Sequence, residues 1–432
     1  MRIVLVFVSF VSLLFSAQSS QTLKFKQENS VNHESDNSKL QKSILNVNYE
    51  LNIDYDDESR VVLETTLELD AKDNISPKKH DTSSYSSFSK PVNLGTSGYL
   101  ELRELYFEKY FDDTLFKIGK MQNVWGKADG LKLIDKLNPQ DYSQFILSSF
   151  EESRIPLWSL SSLTNFENSE FEIIWIPDTT YSNIPSSDSS YAYTTSRISP
   201  KAPQGASVVI QDADKPNHIL KDSDIALKYL MMLDNMEVGF YYLYFYADNP
   251  VLYNSYDSTS NTATITPSYE RSHFIGVSLD YAKGDFVYRL ESGLTFDKYY
   301  LNNHSLLGIG KSNEFAYIFG IDWYGLDESL LSFQFNQAYI LSNKEGYSTP
   351  KVDNTMTFLY KKDFMNDTLF AEVLMIHNLN DNDGLIRPKL SYEVDAESLI
   401  YIGLDKFYGA KNGLYGEFKD QSRFTFGYEK TF

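Results

Sequence analysis

The sequence predicts an all-β protein in the form of a single transmembrane antiparallel β-barrel of about 16–18 strands. Short periplasmic turns, long extracellular loops and one loop folded into the lumen complete the predicted architecture. Three observations lead to it: an aromatic–polar alternation that ends on a terminal phenylalanine, an apolar run behind an N-terminal arginine, and an alternation of short and long connections between amphipathic segments.

The C-terminal segment, residues 422–432, alternates between aromatic and polar side chains. Phe424, Phe426, Tyr428 and Phe432 share one parity, and successive side chains of a strand point to opposite faces, so one face of this strand is aromatic. It resembles the last strand of bacterial outer-membrane barrels, which the barrel-assembly machinery recognises. We therefore expect these four residues to be an insertion signal. The expected location is the Gram-negative cell outer membrane, in contact with bilayer lipid and lipopolysaccharide.

The first nineteen residues have the plan of a secretory signal peptide. Arg2 precedes an apolar run, residues 3–15, which is too short for a membrane-spanning helix because such a helix needs about 20 apolar residues. We expect cleavage after Ala17 or Ser19. Residues 1–19 are then the signal peptide and 20–432 the barrel, and a retained signal anchor is the alternative.

Composition narrows the class of protein further. The chain has no cysteine, which excludes lipoprotein processing, disulfides and thiolate metal ligands. Hydrophobic residues make up 42% and the mean hydropathy is −0.36, which is too polar for a helical membrane protein but suits a barrel with alternating faces. The formal charge of −20 argues against nucleic acid as a partner, because nucleic-acid binding needs a basic face. A soluble β-sandwich would need several domains, and no linker between domains is visible.

Amphipathic segments with a period of two residues recur along the chain. Residues 45–53 alternate apolar with acidic or amide side chains, and 63–69, 275–281, 286–295, 315–323 and 331–336 repeat the plan. From residue 45 onward about 17 strands follow, and bacterial barrels have even strand numbers. Residues 22–27 are therefore expected to add a first strand and give about 18; if one weak segment is misread, the number is about 16. Polar residues fall on both parities in 99–109, so its faces stay unassigned.

Connections of two lengths alternate between these segments. Tight links such as 54–59, 109–113, 164–168 and 233–236 alternate with longer ones such as 72–96, 123–154, 178–221 and 249–267. This is the plan of short periplasmic turns and long extracellular loops. The loop 178–221, rich in Ser, Tyr, Pro and Asp, is expected to be flexible and surface exposed. It is interpreted as a variable solvated loop, with ligand capture or adhesion as the alternative.

Two stretches resemble a known family of barrels. The first contains Gly119-Lys120, Trp125-Gly126, Asn138-Pro139-Gln140-Asp141 and Arg154-Ile155-Pro156; the second contains residues 385–392 and 413–420, followed by the terminal strand. Together they resemble the family catalogued as domain of unknown function 1302, which is related in plan to alginate-export and other porin-like barrels. The resemblance implies an outer-membrane barrel and names no cargo. It implies structural motif roles for Trp125, Gly126, Asn138, Pro139, Asp141 and Pro156, while Lys120 stands where arginine is commoner in the family.

The segment 123–156 is the least strand-like ordered stretch, and we expect it to form a constriction or lid in the lumen. Residues 141–149 are expected to form a short helix behind Asn138 and Pro139. An outward loop packed by Trp125 and Pro139 is the alternative. The candidate constriction residues are Asp129, Lys132, Asp135, Lys136, Asp141 and Arg154.

Parity assigns further polar side chains to the lumen wall, and the pore-lining candidates are Arg289, Glu291, Arg387 and Lys389. Rings of charge can set the selectivity of a pore. Because both signs of charge occur, the alternative is a solvated network of ion pairs with no selective role.

Catalysis is not expected from this sequence. The six histidines show no His-Glu-x-x-His spacing, and no Gly-x-Ser-x-Gly elbow occurs. No catalytic residue, metal site or cofactor is therefore predicted, and the protein is expected not to be an enzyme.

A barrel of about 16–18 strands encloses an aqueous lumen. The sequence thus predicts a porin-like channel for passive or selective passage of small solutes. An adhesin or structural barrel with an occluded lumen is the alternative from a different class. A rim hydrolase is the third, and it would require folding to bring a nucleophile and a histidine together.

Overall fold

The structure, a computed structural model, describes residues 17–33, 39–77, 80–126, 131–342 and 345–432. Strands dominate, and we number them in chain order: β1 Gln18–Asn32, β2 Lys39–Asp56, β3 Ser59–Asp70, β4 Val92–Asn93, β5 Gly98–Phe111, β6 Thr114–Met121, β7 Leu157–Phe166, β8 Ser169–Ile176, β9 Ser207–Ile210, β10 Asp224–Leu233, β11 Met236–Tyr246, β12 Val251–Asp257, β13 Thr262–Ser268, β14 Arg271–Lys283, β15 Phe286–Leu301, β16 Ile309–Trp323, β17 Ser329–Ile340, β18 Val352–Phe364, β19 Leu369–Asn378, β20 Asp383–Asp395, β21 Ser398–Tyr408 and β22 Arg423–Thr431. A one-turn α-helix, Phe150–Ser153, and a 3₁₀ helix, Gly416–Gln421, also occur. No helix in these ranges is both long and apolar enough to cross a membrane.

Eighteen strands form one closed antiparallel barrel, in which each strand pairs with the barrel strand before it and the one after it. The pairing of β1 with β22, from Lys24 opposite Thr431 to Asn32 opposite Arg423, closes the ring. The prediction of an all-β barrel is confirmed, with the upper of the expected strand numbers. The first strand, β1, contains the expected residues 22–27 and begins at Gln18, between the two candidate cleavage points. The signal peptide itself stays a prediction, because residues 1–16 lie outside the described ranges.

The barrel wall turns an apolar face outward and a polar face inward. On β22, Phe424, Phe426 and Tyr428 are 53%, 47% and 42% exposed on the outer face, whereas Arg423 is only 2% exposed. Phe432 follows the strand and is also exposed, at 61%. An outward belt of aromatic and aliphatic side chains is what a bilayer requires of a spanning barrel.

A β-bulge explains why residues 99–109 show polar side chains on both parities. The pairing of β3 with β5 shifts between Glu64, opposite Glu104, and Thr65, opposite Leu102, so that Arg103 is the extra residue. Before the bulge Glu101 is buried, and after it Phe107 is exposed, as odd-numbered residues in both cases. The odd-numbered residues of β5 therefore point into the barrel before the bulge and toward the lipid after it.

The connections follow the predicted plan on one side of the barrel. At the end where β22 finishes, which the prediction makes periplasmic, eight turns of two to five residues join the strands. On the opposite side most connections are longer, but β19 and β20 are joined by only four residues, 379–382. The extracellular connections contain a separate three-stranded sheet of β9, β12 and β13, with β9 parallel to β13.

The interpretation of 178–221 as a flexible, exposed loop is wrong for its first part. Thr180, Ser182, Tyr191 and Thr195 are buried. Tyr191 packs at the wall against Phe407 and Phe418, because an aromatic side chain gains more from apolar contact there than from water. The exposed part of this loop is around β9, where Val208, Val209 and Ile210 lie in solvent.

Candidate functional site: a segment across the lumen

Residues 122–156, which we call the lumen segment, connect the extracellular ends of β6 and β7. Positions 122–126 and 131–156 of it are described. Two clusters of buried apolar side chains hold it, one on the wall formed by β8, β10, β11, β14 and β16, and one on the wall formed by β2, β19, β20 and β21. The segment thus touches two arcs of the wall that are well separated around the barrel.

The first apolar contact involves the beginning of the segment. Trp125, Leu133, Ile134 and Leu137 pack against inward-facing wall residues that include Tyr241, Leu243, Phe274 and Ile318. Trp125 and Ile134 are 3% and 0% exposed. Burial of one such aliphatic or aromatic side chain contributes about 1.5–3 kcal/mol, so this contact fixes the segment strongly.

Glu291 of β15 adds hydrogen bonds to that contact. The backbone N–H groups of Leu133 and Ile134 donate to Glu291 Oε2 at 3.3 and 3.2 Å. Gly126 passes close to the same carboxylate with a φ of +78°, and a Cβ there would lie 2.8 Å from Glu291 Oε1. The glycine of the Trp-Gly motif is therefore required by a left-handed backbone and by a close approach. The Trp125 indole donates from Nε1 to Glu172 Oε2 at 3.0 Å.

The second contact lies on the opposite arc. Phe145 and Leu147 pack with wall and loop residues that include Ile44, Leu385, Phe407 and Phe418. Polar contacts accompany this packing: the Leu147 carbonyl oxygen accepts from Arg387 Nη2 at 2.8 Å, and Gln144 Oε1 accepts from Lys42 Nζ at 2.8 Å and from Arg423 Nη1 at 3.3 Å.

An internal ion pair joins the two halves of the segment. Arg154 donates to Asp135 Oδ2 from Nε at 2.9 Å and from Nη2 at 2.7 Å. Lys132 Nζ lies 3.2 Å from the same oxygen and 4.0 Å from the centre of the Phe150 ring. Burial lowers the pKa of Lys132, and Asp135 acts in the opposite direction. From the wall, Arg103 Nη2 donates to the carbonyl oxygens of Glu151 and Arg154 at 3.0 and 3.1 Å.

The helix expected at 141–149 is wrong. Asp141 Oδ1 instead accepts from the Ser143 N–H at 2.8 Å, which closes a side-chain turn, and Phe145 has a left-handed φ of +55°. Among positions 131–156 the helical turn is Phe150–Ser153, which begins with a capping box between Ser149 and Glu152. Asp141 also accepts from Asn183 Nδ2 at 3.1 Å and so joins the segment to the loop between β8 and β10.

The Asn-Pro motif serves to brace the segment's own backbone. Asn138 Oδ1 accepts from the Asn123 N–H at 2.7 Å, and Asn138 Nδ2 donates to the Ile155 carbonyl oxygen at 2.8 Å. The Pro139 carbonyl oxygen accepts from the Ile155 N–H at 2.8 Å. Pro156 is buried directly before β7. These contacts hold the two ends of the segment side by side.

The remaining sequence-predicted residues lie apart from one another. Arg289 Nε is 2.9 Å from Asp322 Oδ2, Arg387 Nε is 2.8 Å from Asp405 Oδ1, and Lys389 Nζ is 4.4 Å from the Tyr401 ring centre. Lys136 Nζ lies 5.3 Å from the Phe274 ring centre, and burial lowers its pKa. Asp129 lies outside the described residues. The predicted residues therefore form several ion pairs and contacts along the segment and the wall rather than one charged ring.

Several residues that hold the segment were not predicted from the sequence, among them Lys26, Lys42, Arg103, Gln144, Glu172 and Arg423. Arg423 sits on the polar parity of the terminal strand, which is a signal that could have found it. Arg103 was hidden by the bulge in β5. For Gln144 no sequence signal exists, because its contacts depend on the path of the segment.

Two of the histidines each form a hydrogen bond with a tyrosine. The hydroxyl groups at His273 and His377 are the phenols of Tyr242 and Tyr408, each 2.9 Å from Nδ1. No group of three or more His, Asp or Glu side chains in the described ranges is arranged to hold a metal ion.

Comparisons with known proteins agree with the barrel fold. The sequence profile described as "Protein of unknown function (DUF1302)" matches residues 19–428. No curated protein matches significantly. Similar solved structures include OccAB2 of Acinetobacter baumannii (TM-score 0.54, 10% identity, 96% of this chain and 98% of that chain) and OccK9 (OpdG) of Pseudomonas aeruginosa (TM-score 0.54, 10% identity, 97% and 98%). A third is the outer membrane protein OpdK of Pseudomonas aeruginosa (TM-score 0.52, 10% identity, 97% and 99%).

At this identity the likeness concerns the fold, which is that of an outer-membrane β-barrel. The family match is of another kind, because it rests on the sequence and covers nearly all of the chain from Ser19 onward. The resemblance inferred from the motifs is thereby confirmed, and the protein belongs to the outer-membrane barrel family described as "Protein of unknown function (DUF1302)".

Proposed function

We propose that the protein is a porin-like channel of the outer membrane that passes small solutes along a lumen narrowed by the lumen segment. One observation carries the proposal: lumen-facing charged side chains fix the segment from two arcs of the wall. Glu291 accepts from Leu133 and Ile134 on one arc, and Arg387 donates to Leu147 on the other. Wall charges that face a segment inside the barrel suit a restricted passage better than a loop meant for the cell surface.

The width of the barrel supports passage. Porins of 16–18 strands leave an aqueous channel, whereas barrels of about 8 strands are filled by their own side chains. Between the segment and the wall, beside Trp125, a cavity of about 110 Å³ remains open. Its lining combines the charged residues Lys228, Asp280 and Arg289 with apolar ones such as Trp125 and Leu230, so it can take water and small dissolved solutes.

A similar structure supports the size class of the solute. OpdK of Pseudomonas aeruginosa has been solved with vanillate, a small aromatic carboxylate, at a TM-score of 0.52 and 10% identity to this chain. We take from this only that a barrel of this fold accommodates a molecule of that size. The chemistry of the solute for the present protein must come from its own residues.

Single-channel recording in a planar bilayer tests the proposal. The mature protein should give steady conductance in KCl. A variant in which residues 131–147 are replaced by Gly-Ser repeats of equal length should give a larger conductance, because it lacks the apolar and Gln144 anchors on both arcs. A matched control replaces residues 251–268, the extracellular hairpin of β12 and β13, in the same way and should keep the original conductance.

If neither the intact protein nor the 131–147 variant conducts, although both are folded, the proposed channel function is refuted. That result would favour the second candidate, a surface-binding barrel with an occluded lumen. A specific observation supports that candidate: strand β9 is exposed along its whole length on the extracellular side, with Val208, Val209 and Ile210 in solvent. Such exposed apolar side chains on a sheet edge often mark contact surfaces.

A further inference from the structure

Three carboxylates lie side by side on the lumen wall formed by β2, β3 and β5. Glu50 of β2 lies directly opposite Glu64 of β3, and Glu64 lies directly opposite Glu104 of β5. Cross-strand partners point to the same face of a sheet, which in these strands is the polar face toward the lumen. Like charges in such positions destabilise a sheet, so positive charge beside this row stabilises it.

The lumen segment brings a fourth carboxylate to the row. Glu151 belongs to the helical turn Phe150–Ser153, and its carbonyl oxygen accepts from Arg103 Nη2 of β5 at 3.0 Å. The Glu151 carboxylate acts electrostatically on both Glu64 and Glu104. We call these four residues the carboxylate row: it extends from β2 across β3 and β5 to the lumen segment.

The cations that act on the carboxylate row, Arg103 and Lys117, are engaged by other groups. Arg103 Nη1 lies 3.8 Å from Glu101 Oε2, and its Nη2 donates to two carbonyl oxygens of the segment. Lys117 Nζ lies 3.0 Å from Glu108 Oε2. Within the described part of the chain, no lysine or arginine forms an ion pair with a member of the row. The row therefore has more negative charge than these two cations balance.

Unpaired oxygens beside the carboxylate row indicate a missing hydrogen-bond donor. Thr66 follows Glu64 by two residues on β3, so it shares the inward face, and it lies opposite Asn48 of β2. Thr66 is only 9% exposed, and neither its Oγ1 nor Asn48 Oδ1 has a hydrogen-bond partner among the described residues. A buried polar atom without a partner costs free energy. A cation that carries N–H groups would supply both the missing charge and the missing donor.

The spacing of the carboxylate row favours an extended organic cation over a metal ion. Neighbouring strands lie about 4.8 Å apart, so carboxylates on three strands span about 10 Å. A hard metal ion holds its oxygen ligands at about 2.0–2.6 Å and reaches only one part of such a row. In the described ranges, no group of three or more His, Asp or Glu side chains is arranged to hold a metal ion. A linear chain with an amine at each end matches the row in charge and in length.

We infer that the carboxylate row is a solute site for a linear aliphatic diamine. One ammonium group lies between Glu50 and Glu64, where it donates to the unpaired oxygens beside them. The other ammonium group lies between Glu104 and Glu151, at the lumen segment. The inference rests on the proposed channel function, because it names a solute class for the lumen, but binding to the row is measurable without conductance.

Isothermal titration calorimetry of the folded, detergent-solubilised protein at constant ionic strength tests the inference. The probes are cadaverine, a five-carbon diamine, and pentylammonium, which has the same carbon chain and a single charge. Cadaverine should bind at one site and at least about tenfold more tightly, because its second ammonium group adds charge-assisted hydrogen bonds. Equal affinity for the two probes overturns the inference, and so does displacement of cadaverine by an equal concentration of Mg²⁺.

Variants of single carboxylates locate the site. Glu64→Gln and Glu151→Gln keep the size of the side chain and remove one charge, and each should weaken cadaverine binding about tenfold. Glu372→Gln is the matched control, because this carboxylate lies on β19 opposite Lys361 and Lys389, and its loss should leave the affinity unchanged. Unchanged affinity in both row variants, with folding verified by heat-modifiable gel mobility, overturns the site.

Thr66→Val tests the hydrogen bond separately from the charge. Valine keeps the branched shape of threonine, and every carboxylate of the row stays in place. Loss of an unpaired buried hydroxyl does not destabilise the barrel, so a change in binding cannot come from unfolding. The variant should weaken cadaverine binding severalfold. Unchanged affinity contradicts the position of an ammonium group between Glu50 and Glu64.

Conductance separates this inference from the proposed function. Steady KCl conductance without cadaverine binding refutes the diamine site and leaves the channel standing. Binding that Glu64→Gln abolishes, in a protein that never conducts, supports the site and refutes the channel.

Discussion

Single residues decide where the barrel wall departs from strict alternation. On β6, Phe116 and Ile118 are exposed on the outer face, and Lys120 shares their parity. Lys120 is nevertheless 1% exposed, and its Nζ donates to the Leu102 carbonyl oxygen at 2.6 Å and lies 3.6 Å from Glu101 Oε1. Gly119 makes this turn of the backbone possible, because its φ of +141° is a value that other residues rarely adopt. The unusual backbone of Gly119 thus explains why a glycine precedes the buried Lys120 in the family motif.

Gly119→Ala should destabilise the barrel by more than about 1–3 kcal/mol, the usual cost of one strained backbone position. The added Cβ would overlap the Leu105 carbonyl oxygen and lie 2.6 Å from Tyr106 Cα, so the backbone of β5 must move. The measurement is the urea midpoint of the folded barrel in detergent. Gly95→Ala is the control, since its φ is also positive but its Cβ meets nothing within 4 Å. Equal midpoints for the two variants would contradict the steric explanation.

The inward direction of Glu291 and Arg387 could be predicted from parity, because both lie on regular parts of β15 and β20. The residues that contact these two side chains could not be predicted from the sequence. Leu133, Ile134 and Leu147 reach these side chains only through the path of the lumen segment, and that path depends on contacts distant in sequence. The two-residue alternation of a strand indicates the face on which a side chain lies, but it does not indicate which residues contact that side chain.

The lumen segment is held as an element by packing on two arcs and by ion pairs at its ends. Its helical turn Phe150–Ser153 is attached to β1 through Glu152, whose Oε1 lies 2.5 Å from Lys26 Nζ. The helix was predicted nine residues too early, because Asn138-Pro139 is a typical helix start in sequence. In the structure Asn138 binds the backbone of Asn123 and Ile155 instead.

The Glu152 contact should respond to acid. Burial alone would raise the pKa of Glu152, but Lys26 and Lys42 together lower it to about 2 from an ordinary 4.5. A depressed carboxyl pKa stabilises the fold above about 4.5, and this stabilisation is lost as the pH falls from 4.5 toward 2. Because the side chain is 47% exposed, the contribution is at most about 1 kcal/mol.

An NMR titration of the Glu152 carboxyl carbon measures this pKa directly. The midpoint should be near 2 in the native protein and should rise to the ordinary range or above in Lys26→Met, where burial acts without its main counter-charge. Lys430→Met, which removes a cation that pairs with Glu397 on the periplasmic side, should leave the Glu152 midpoint unchanged. A midpoint near 4.5 in the native protein would contradict the pairing of Glu152 with Lys26.

At the scale of the whole molecule, the barrel could be predicted because one requirement is repeated in every strand. Each strand must present an apolar face to lipid and a polar face to the lumen, so errors in single segments average out. The loops lack such a common requirement. The first part of 178–221 reads as polar and flexible, yet Tyr191 and Thr195 are buried by contacts with residues more than two hundred positions away, Phe418 and the Asn412 carbonyl oxygen.

The charge of the periplasmic rim is a property of the molecule as a whole. The eight short turns between strands contain eleven aspartates and glutamates and no lysine or arginine. Asp and Asn favour tight turns for conformational reasons, which accounts for part of this composition. This composition leaves an excess of carboxylates around one mouth of the barrel, in a chain of formal charge −20, of which Lys109 and Lys430 at the strand ends offset only a part. Carboxylates around the mouth of a pore raise the local concentration of cations.

We therefore expect the channel to prefer cations, as measured by the reversal potential under a KCl gradient. The preference should weaken between 0.1 and 1 M salt, because the screening length falls from about 10 Å to about 3 Å. Neutralising four rim residues, in the variant Asp57→Asn, Glu58→Gln, Asp112→Asn and Asp113→Asn, should reduce it at low salt. Neutralising Asp212 and Asp257 on the extracellular loops is the control and should change it less, since that mouth also carries the basic residues Lys201, Lys215 and Lys221. An anion preference, or a rim variant that behaves as the native protein does at 0.1 M salt, would show that the rim does not set the selectivity. Selectivity would then belong to the charges beside the lumen segment.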